Sequence, residues 1–137
     1  MPLISTKGVY GLTAMYELSK HEDESPMQIK EISSNANIPQ NYLEQLLGKL
    51  RRAELVKSIR GAKGGYVLAQ KPEDISVKDI LVALEGDLKI IDSKADNPIL
   101  NIFFDDAKKS TKELFDISLA KLDEYQDKYN EFLHYSI

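Results

Sequence analysis

The spacing of apolar residues predicts a mainly helical chain with one short β-hairpin. Apolar side chains recur every three or four residues, as in amphipathic helices, in the segments 7–21, 39–53, 77–85, 98–116 and 119–132. Another helix is expected to start at Ser25-Pro26, because a capping residue before proline favours a first helical turn. The runs 56–60 and 66–70 have strand character, and the glycine-rich stretch between them predicts a hairpin turn.

The segment 39–53 has the most informative pattern. Its apolar positions follow i, i+3, i+4, i+7 spacing and predict a face for the core: Leu43, Leu46, Leu47 and Leu50. The opposite face carries Asn41, Glu44, Gln45, Gly48 and Arg52. Amide, carboxylate and guanidinium groups occur together there, instead of the lysines and glutamates that usually cover a solvent-facing helix. We therefore expect this outer face to contact a partner.

Three helices followed by a hairpin with a glycine-rich tip is the element order of a winged helix-turn-helix. In that fold the third helix enters the DNA major groove, and the hairpin, called the wing, contacts the backbone or a minor groove. The amides of Asn41 and Gln45 can pair with adenine edges, and Glu44 can accept a hydrogen bond from cytosine. Arg60, at the base of the slim glycine-rich tip of the wing, suits a narrow and electronegative minor groove.

Simpler interpretations of the same residues remain open. Glu44 and Arg52 can face solvent without a partner, and the loop glycines can serve turn geometry alone. These glycines are Gly61, Gly64 and Gly65, and no Gly-Lys-Ser/Thr follows them, so they do not form a phosphate-binding P-loop.

The formal net charge of −4 conceals an uneven distribution. Residues 1–71 contain ten Lys/Arg and seven Asp/Glu, whereas residues 72–137 contain eight and fifteen. Within 49–71 there are seven basic residues and one acidic residue. This asymmetry predicts a basic working surface at one end and an acidic body at the other, although a charged run can also simply solvate a face.

The composition excludes several kinds of chemistry. The chain has no cysteine, which excludes disulfides, thiolate metal sites, cysteine-ligated iron–sulfur clusters and a cysteine nucleophile. Its two histidines lie at opposite ends, and no nucleophile–base pair is visible, so we expect no metal, no cofactor and no enzymatic activity. Neither a membrane helix nor a signal peptide is evident, which predicts a soluble, cytoplasmic protein without membrane contact.

Several ordered motifs resemble the Rrf-two family of bacterial transcription regulators. They are ISTKG at 4–8, YGLT at 10–13, NYLEQL at 41–46, LRRA and LVKS within 50–58, and RG with GGY within 60–66. The resemblance is strong over residues 3–86 and loose beyond them. It implies a homodimer that recognises palindromic double-stranded DNA, in which a long fifth helix crosses its twin.

The resemblance also implies a function for particular residues. It implies base contacts by Asn41, Tyr42, Glu44 and Gln45, and a wing made of Arg60, Gly61, Lys63, Gly64 and Gly65. Phosphate contacts are expected from Lys7, Lys49, Arg51, Arg52 and Lys57. Dimer contacts are expected from Ile99, Leu100, Phe103, Phe104, Ala107 and Leu114. We accordingly divide the chain into a DNA-binding domain at 1–86, a linker at 87–97, and a dimerisation helix with a C-terminal helix and tail at 98–137.

The linker and the tail point to one branch of the family. Cluster-binding members carry three cysteines in the linker, where this chain has none, so the chain resembles the branch of cysteine-metabolism repressors. Such repressors are associated with cysteine synthase, O-acetylserine thiol-lyase. The tail Tyr135-Ser136-Ile137 could enter that enzyme's substrate pocket, so the alternative function is a module that acts through this partner. The simpler interpretation of the tail is a frayed terminus.

The chain departs from the family pattern at several positions. Val9 replaces a common arginine, Lys63 a common glycine, and Glu54 a common glycine just past the third helix. If the backbone at position 54 has positive φ, glutamate strains it.

Overall fold

The computed structural model describes residues 2–21 and 25–136, with the exception of the Ser136 side chain. The acidic run Glu22-Asp23-Glu24, which predicts a solvated loop, lies outside these residues. The α-helices are α1 (Thr6–Lys20), α2 (Ile29–Ala36), α3 (Gln40–Arg52), α4 (Val77–Glu85), α5 (Pro98–Phe115) and α6 (Glu124–Ser136). The strands are β1 (Val56–Ile59) and β2 (Gly65–Leu68), and 3₁₀ turns span Pro72–Asp74 and Leu119–Asp123. The predicted fold class, helical with one β-hairpin, is confirmed.

The core forms where α1, α2, α3 and α4 meet. All four leucines of the predicted α3 face are buried, each at most 1% exposed. On α1, Gly11 lies so close to α4 that an added Cβ would stand 2.2 Å from Leu84 Cδ1. The helix pair packs this closely only because position 11 has no side chain.

The β-hairpin is antiparallel, and Val56 pairs with Leu68 while Ile59 pairs with Gly65. Outside the two strands, Met27 forms an antiparallel bridge with Tyr66 of β2. The two residues exchange backbone hydrogen bonds at 3.0 and 2.8 Å. The expectation that a helix begins at Ser25-Pro26 was therefore wrong, since α2 begins at Ile29. Burial of Met27 and its pairing with the wing outweigh the local capping signal.

The predicted bounds of α4 are confirmed. Ser76 Oγ accepts a hydrogen bond from the backbone N–H of Lys78 at 3.1 Å, which is an N-cap interaction. Gly86 ends the helix with φ +83° and ψ −154°, a conformation that is essentially restricted to glycine.

After α5 the chain returns to the core instead of continuing as one helix from residue 119. The backbone N–H of Leu119 donates to Ile75 O at 2.7 Å, and that of Val77 donates to Ile117 O at 2.8 Å. Leu119 is fully buried in the main core, and a 3₁₀ turn carries the chain from there into α6. The C-terminal segment thus contributes to the same core as α1–α4. In the described parts of the chain, no helix is long and apolar enough to cross a membrane.

The end of α3 is a Schellman motif with glutamate in the position that favours glycine. Glu54 has φ +63°, its N–H donates to Arg51 O at 2.9 Å, and the N–H of Leu55 donates to Leu50 O at 2.9 Å. Both leucines are buried. The left-handed conformation is thus held in place by packing and hydrogen bonds, at a cost to the Glu54 backbone.

We expect Glu54→Gly to raise the free energy of unfolding by about 1 kcal/mol, because glycine adopts this conformation without steric strain. Urea denaturation measures the change. The neighbouring substitution Ala53→Gly is the control: Ala53 has negative φ, so glycine there adds only unfolded-state entropy and should lower stability. An unchanged or lower stability of Glu54→Gly would contradict the strain.

Candidate nucleic-acid interface

The outer face of α3 is open to solvent. Asn41, Glu44 and Gln45 are all exposed, whereas the leucines on the other side of the helix are buried. The structure therefore presents the predicted base-contacting amides and carboxylate together on one helical surface. Gly48 lies on the same surface, and an added Cβ there would meet only Arg52 Nη1 at 3.5 Å, so the fold itself does not require glycine.

Tyr42 differs from the other predicted base-contacting residues because it is half-buried. Its ring packs edge-on against Tyr10 of α1, with a centroid distance of 5.8 Å and an interplanar angle of 73°. This aromatic pair ties the first turn of α3 to α1.

The turn between α2 and α3 is fixed by backbone geometry. Asn37 ends α2 in the left-handed conformation, with φ 55° and ψ 50°, which asparagine tolerates better than most residues. The next residue, Ile38, is buried and its N–H donates to Ser33 O at 3.1 Å. These contacts set the angle at which α3 leaves α2, and so complete the helix-turn-helix.

The wing places two cations at its exposed tip, Arg60 and Lys63. The backbone geometry of the wing explains why glycine occurs at positions 64 and 65, without any role in binding a ligand. Gly64 N–H donates to Gly61 O at 2.9 Å, and a Cβ at position 64 would lie 2.2 Å from Ile59 O. Gly65 has φ +149°, and a Cβ there would lie 2.3 Å from Met27 O. The glycines thus allow a tight tip and close pairing with the Met27 segment.

An open groove of about 680 Å³ runs between the end of α3 and the wing. Arg51, Lys57 and Arg60 line it, together with Glu54. The structure therefore brings together two predicted phosphate contacts and the predicted minor-groove arginine. This groove was not predicted, since it forms only when the hairpin folds back beside α3.

Lys7 has different surroundings from the other predicted phosphate contacts. It lies in the first turn of α1, next to the carboxylate of Glu85. This carboxylate accepts hydrogen bonds from the backbone N–H of Ser5 at 2.9 Å, from the backbone N–H of Gly8 at 3.1 Å, and from the Ser5 hydroxyl. Burial alone would raise the pKa of Glu85, but these hydrogen bonds and the Lys7 charge outweigh it and lower that pKa. A carboxylate thus already occupies the N-terminus of α1, which reduces its attraction for phosphate.

The linker between α4 and α5 carries no thiolate ligand for an iron–sulfur cluster, because the chain has no cysteine. Its residue Asp87 instead forms ion pairs with Lys108 at 2.9 Å and Lys112 at 3.0 Å. The hydrogen bonds from Lys108 and then Lys112 lower the pKa of Asp87 to about 2. Within residues 2–21 and 25–136, no group of three histidine, aspartate or glutamate side chains could hold a metal ion.

The predicted dimer contacts on α5 fall on two sides of the helix. Ile99, Leu100, Phe103 and Leu114 are between 46% and 75% exposed. Phe104 and Ala107 are half-buried, with Phe104 bordering a cavity that the linker encloses. Ile102 was not predicted, although it is 65% exposed beside Phe103 and is equally apolar.

The tail lies at the end of an exposed aromatic surface on α6, formed by Tyr125, Tyr129, Phe132 and Tyr135. Tyr135 is 86% exposed. The Ser136 side chain and Ile137, which complete the predicted tail, lie outside the described residues.

Comparison with known proteins gives consistent matches over nearly the whole chain. The family model Rrf2, an iron-dependent transcriptional regulator, matches residues 4–130. The HTH-type transcriptional regulator CymR of Bacillus subtilis is 44% identical over 126 residues, which cover 90% of this chain and 91% of that protein.

Solved structures agree with this assignment. The structure of CymR, the global cysteine regulator of B. subtilis, matches with a TM-score of 0.81 and 42% identity, and covers 91% of this chain and 98% of that chain. IscR of T. potens matches with a TM-score of 0.76 and 42% identity, over 92% and 89%. The chain belongs to the Rrf2 family of transcriptional regulators.

Proposed function

We propose that this protein is a homodimeric repressor that binds palindromic DNA operators without an iron–sulfur cluster. The observation that carries the proposal is the arrangement of α3, whose leucines are buried while its amides and carboxylate face solvent, with the basic wing beside the end of the same helix. A single α-helix fits the DNA major groove, and a glycine-rich hairpin reaches the neighbouring backbone or minor groove.

Base recognition is assigned to the exposed face of α3. Asn41 and Gln45 each carry an amide that donates and accepts at the same time, the pattern that matches an adenine edge in the major groove. Glu44 accepts hydrogen bonds only, which matches the amino group of cytosine. Tyr42, with its ring held against Tyr10, contributes to this surface through its exposed edge.

Affinity is assigned to the basic groove beside α3. Arg51 and Lys57 line it and neutralise phosphates, a contribution that depends on salt but not on sequence. Arg52, Lys49 and Lys7 are further phosphate contacts. Arg60 has a different role, since an arginine in the minor groove recognises a narrow, A·T-rich groove.

These two roles predict different behaviour for Arg60→Ala and Lys57→Ala. Operators are first selected in vitro from fragments of the organism's own genome. Arg60→Ala should weaken binding to the selected operator by about 1–3 kcal/mol, with a smaller effect on unrelated DNA. Lys57→Ala should weaken all sequences alike, and reduce the slope of log affinity against log salt by about 1.

Lys121→Ala, which removes one exposed lysine from the second 3₁₀ turn, is the control for the loss of positive charge. Unaltered operator affinity of Arg60→Ala would contradict the wing assignment.

The proposed dimer is formed through α5. Four of its exposed apolar side chains cluster in the first turns, namely Ile99, Leu100, Ile102 and Phe103, and Leu114 adds a fifth near the other end. This is more exposed apolar surface than a stable monomer usually carries on one helix. A two-fold axis would pair this surface with its own copy, which gives two recognition helices related by the symmetry of a palindrome.

Phe103→Glu should therefore convert the dimer to a monomer, because it places a charge in the centre of the apolar surface. Light scattering after size-exclusion chromatography measures the mass, and operator affinity should fall with it. Val82→Glu introduces the same charge at an exposed apolar residue of α4 and should leave the dimer intact. A dimeric Phe103→Glu protein would contradict the interface.

The similarity to CymR favours genes of cysteine and sulfur metabolism as the targets of the repressor. A second candidate function is a protein-interaction module that acts through a partner enzyme, cysteine synthase. The observation that favours it is the exposed aromatic surface of α6, which leads directly to the tail. Aromatic side chains are enriched at protein interfaces, and capture of a C-terminal carboxylate is a known mode of peptide recognition.

Titration of pure cysteine synthase with the protein tests this candidate. We expect binding that is lost when Ile137 is deleted, because the isoleucine side chain that would fill the substrate pocket is removed. The deletion should leave operator affinity unchanged. Absence of binding by the intact protein, or unchanged binding after the deletion, would contradict the partner assignment.

A further inference from the structure

Three consecutive residues join the helices of the DNA-binding head to α5. Glu85 ends α4 and binds the first turn of α1 through Ser5 and Gly8. Gly86 follows with a backbone conformation that is essentially restricted to glycine. Asp87 then binds α5 through Lys108 and Lys112. The end of α4 is thus attached to α1 on one side and to α5 on the other.

Apolar packing holds α5 only weakly against its own subunit. No residue of α5 is buried, and the half-buried ones on the side that faces the linker include Asn101, Phe104 and Phe115. A helix held by few apolar contacts can change direction at low cost, since burial is the main source of tertiary stability.

Polar contacts supply the directional restraint that packing does not. The side chain of Asn101 forms two hydrogen bonds with the backbone of Ala95, at 2.9 and 2.8 Å, and fixes the end of the linker to the first turns of α5. The ion pairs of Asp87 lie two to three turns further along the same helix.

The end of α5 is held separately, because Phe115 packs against the buried cluster of Val77, Leu81 and Leu88. The Asp87 ion pairs attach the helix one to two turns earlier. Attachment at two separated places defines a direction, whereas attachment at Phe115 alone would leave a pivot.

We infer that Asp87 is a positioning residue for operator recognition: its ion pairs with Lys108 and Lys112 set the direction of α5 relative to α3, and thereby the separation of the two recognition helices in the dimer. The inference rests on the proposed function, because it requires a dimer that contacts two half-sites.

The geometry of α5 shows why a small change of direction matters. At a rise of 1.5 Å per residue its 18 residues span about 27 Å, so a rotation of about 10° at one end moves the other by about 5 Å. Neighbouring base pairs are about 3.4 Å apart along the DNA axis. A loose α5 would therefore accept half-site spacings that differ by one base pair.

The test measures spacing preference with the full-length protein. The operator selected in vitro is remade with its central spacer lengthened or shortened by one base pair, and the affinity ratio between the spacings is determined. The wild type should prefer one spacing. Asp87→Asn should reduce that ratio by about three- to tenfold, the effect expected from the loss of one or two exposed ion pairs.

Two further variants make the result specific. Asp92→Asn causes the same charge change in the same linker, and should leave the ratio unchanged. The triple variant Asp87→Lys, Lys108→Glu, Lys112→Glu reverses the ion pairs and should restore the preference. A merely structural role of Asp87 would lower affinity for all spacings alike and leave the ratio as it was.

The possible results separate this inference from the proposed function. A wild-type preference that persists unchanged in Asp87→Asn would overturn the positioning role alone. A wild-type protein with no spacing preference would overturn the proposed recognition of two half-sites, and the positioning role with it.

Discussion

The rotation of α3 about its own axis is the constraint on which the recognition surface depends. No side chain caps the start of this helix, and its end carries the strained residue Glu54, so capping contributes little to its stability. Burial of its four leucines holds it instead, at about 1.5–3 kcal/mol for each side chain. Asn41 and Gln45 lie on the opposite side of the same helix. The packing that stabilises α3 therefore also directs its polar groups outward, and a change in the core would move them.

Features that depend on neighbouring residues could be predicted from the sequence. The periodicity of the leucines predicts the bounds of α3 to within one residue at each end. Ser76 as a capping residue and Gly86 as a terminal glycine predict both ends of α4. The strain at Glu54 could also be predicted, because the position follows the last turn of α3, where helices commonly end with glycine. In each case the deciding interaction lies within one helix or at its ends, where a local pattern contains the necessary information.

Contacts between distant parts of the chain could not be predicted in this way. The pairing of Met27 with Tyr66 prevents the helix that Ser25-Pro26 predicts. Two backbone hydrogen bonds and the burial of Met27 outweigh the local preference of Ser-Pro for a helix start. The burial of Leu119 had no local sign, because an isolated leucine beside a serine fits a surface helix equally well. The basic groove likewise depends on how the hairpin folds against α3. The exposed face of α3 and the glycine-rich wing could thus be located from the sequence, but their arrangement depends on tertiary contacts.

The linker shows how the same fold can be held together by different chemistry. The resemblance to the Rrf2 family implies three linker cysteines in those members that bind an iron–sulfur cluster, whereas this chain has no cysteine. Here Asp87 and Asn101 attach the linker to α5 with groups that belong to the chain itself. Ion pairs with two lysines, and a pKa of about 2, keep Asp87 charged throughout the physiological pH range. Because no proton releases these ion pairs near neutral pH, high salt is the condition that weakens them.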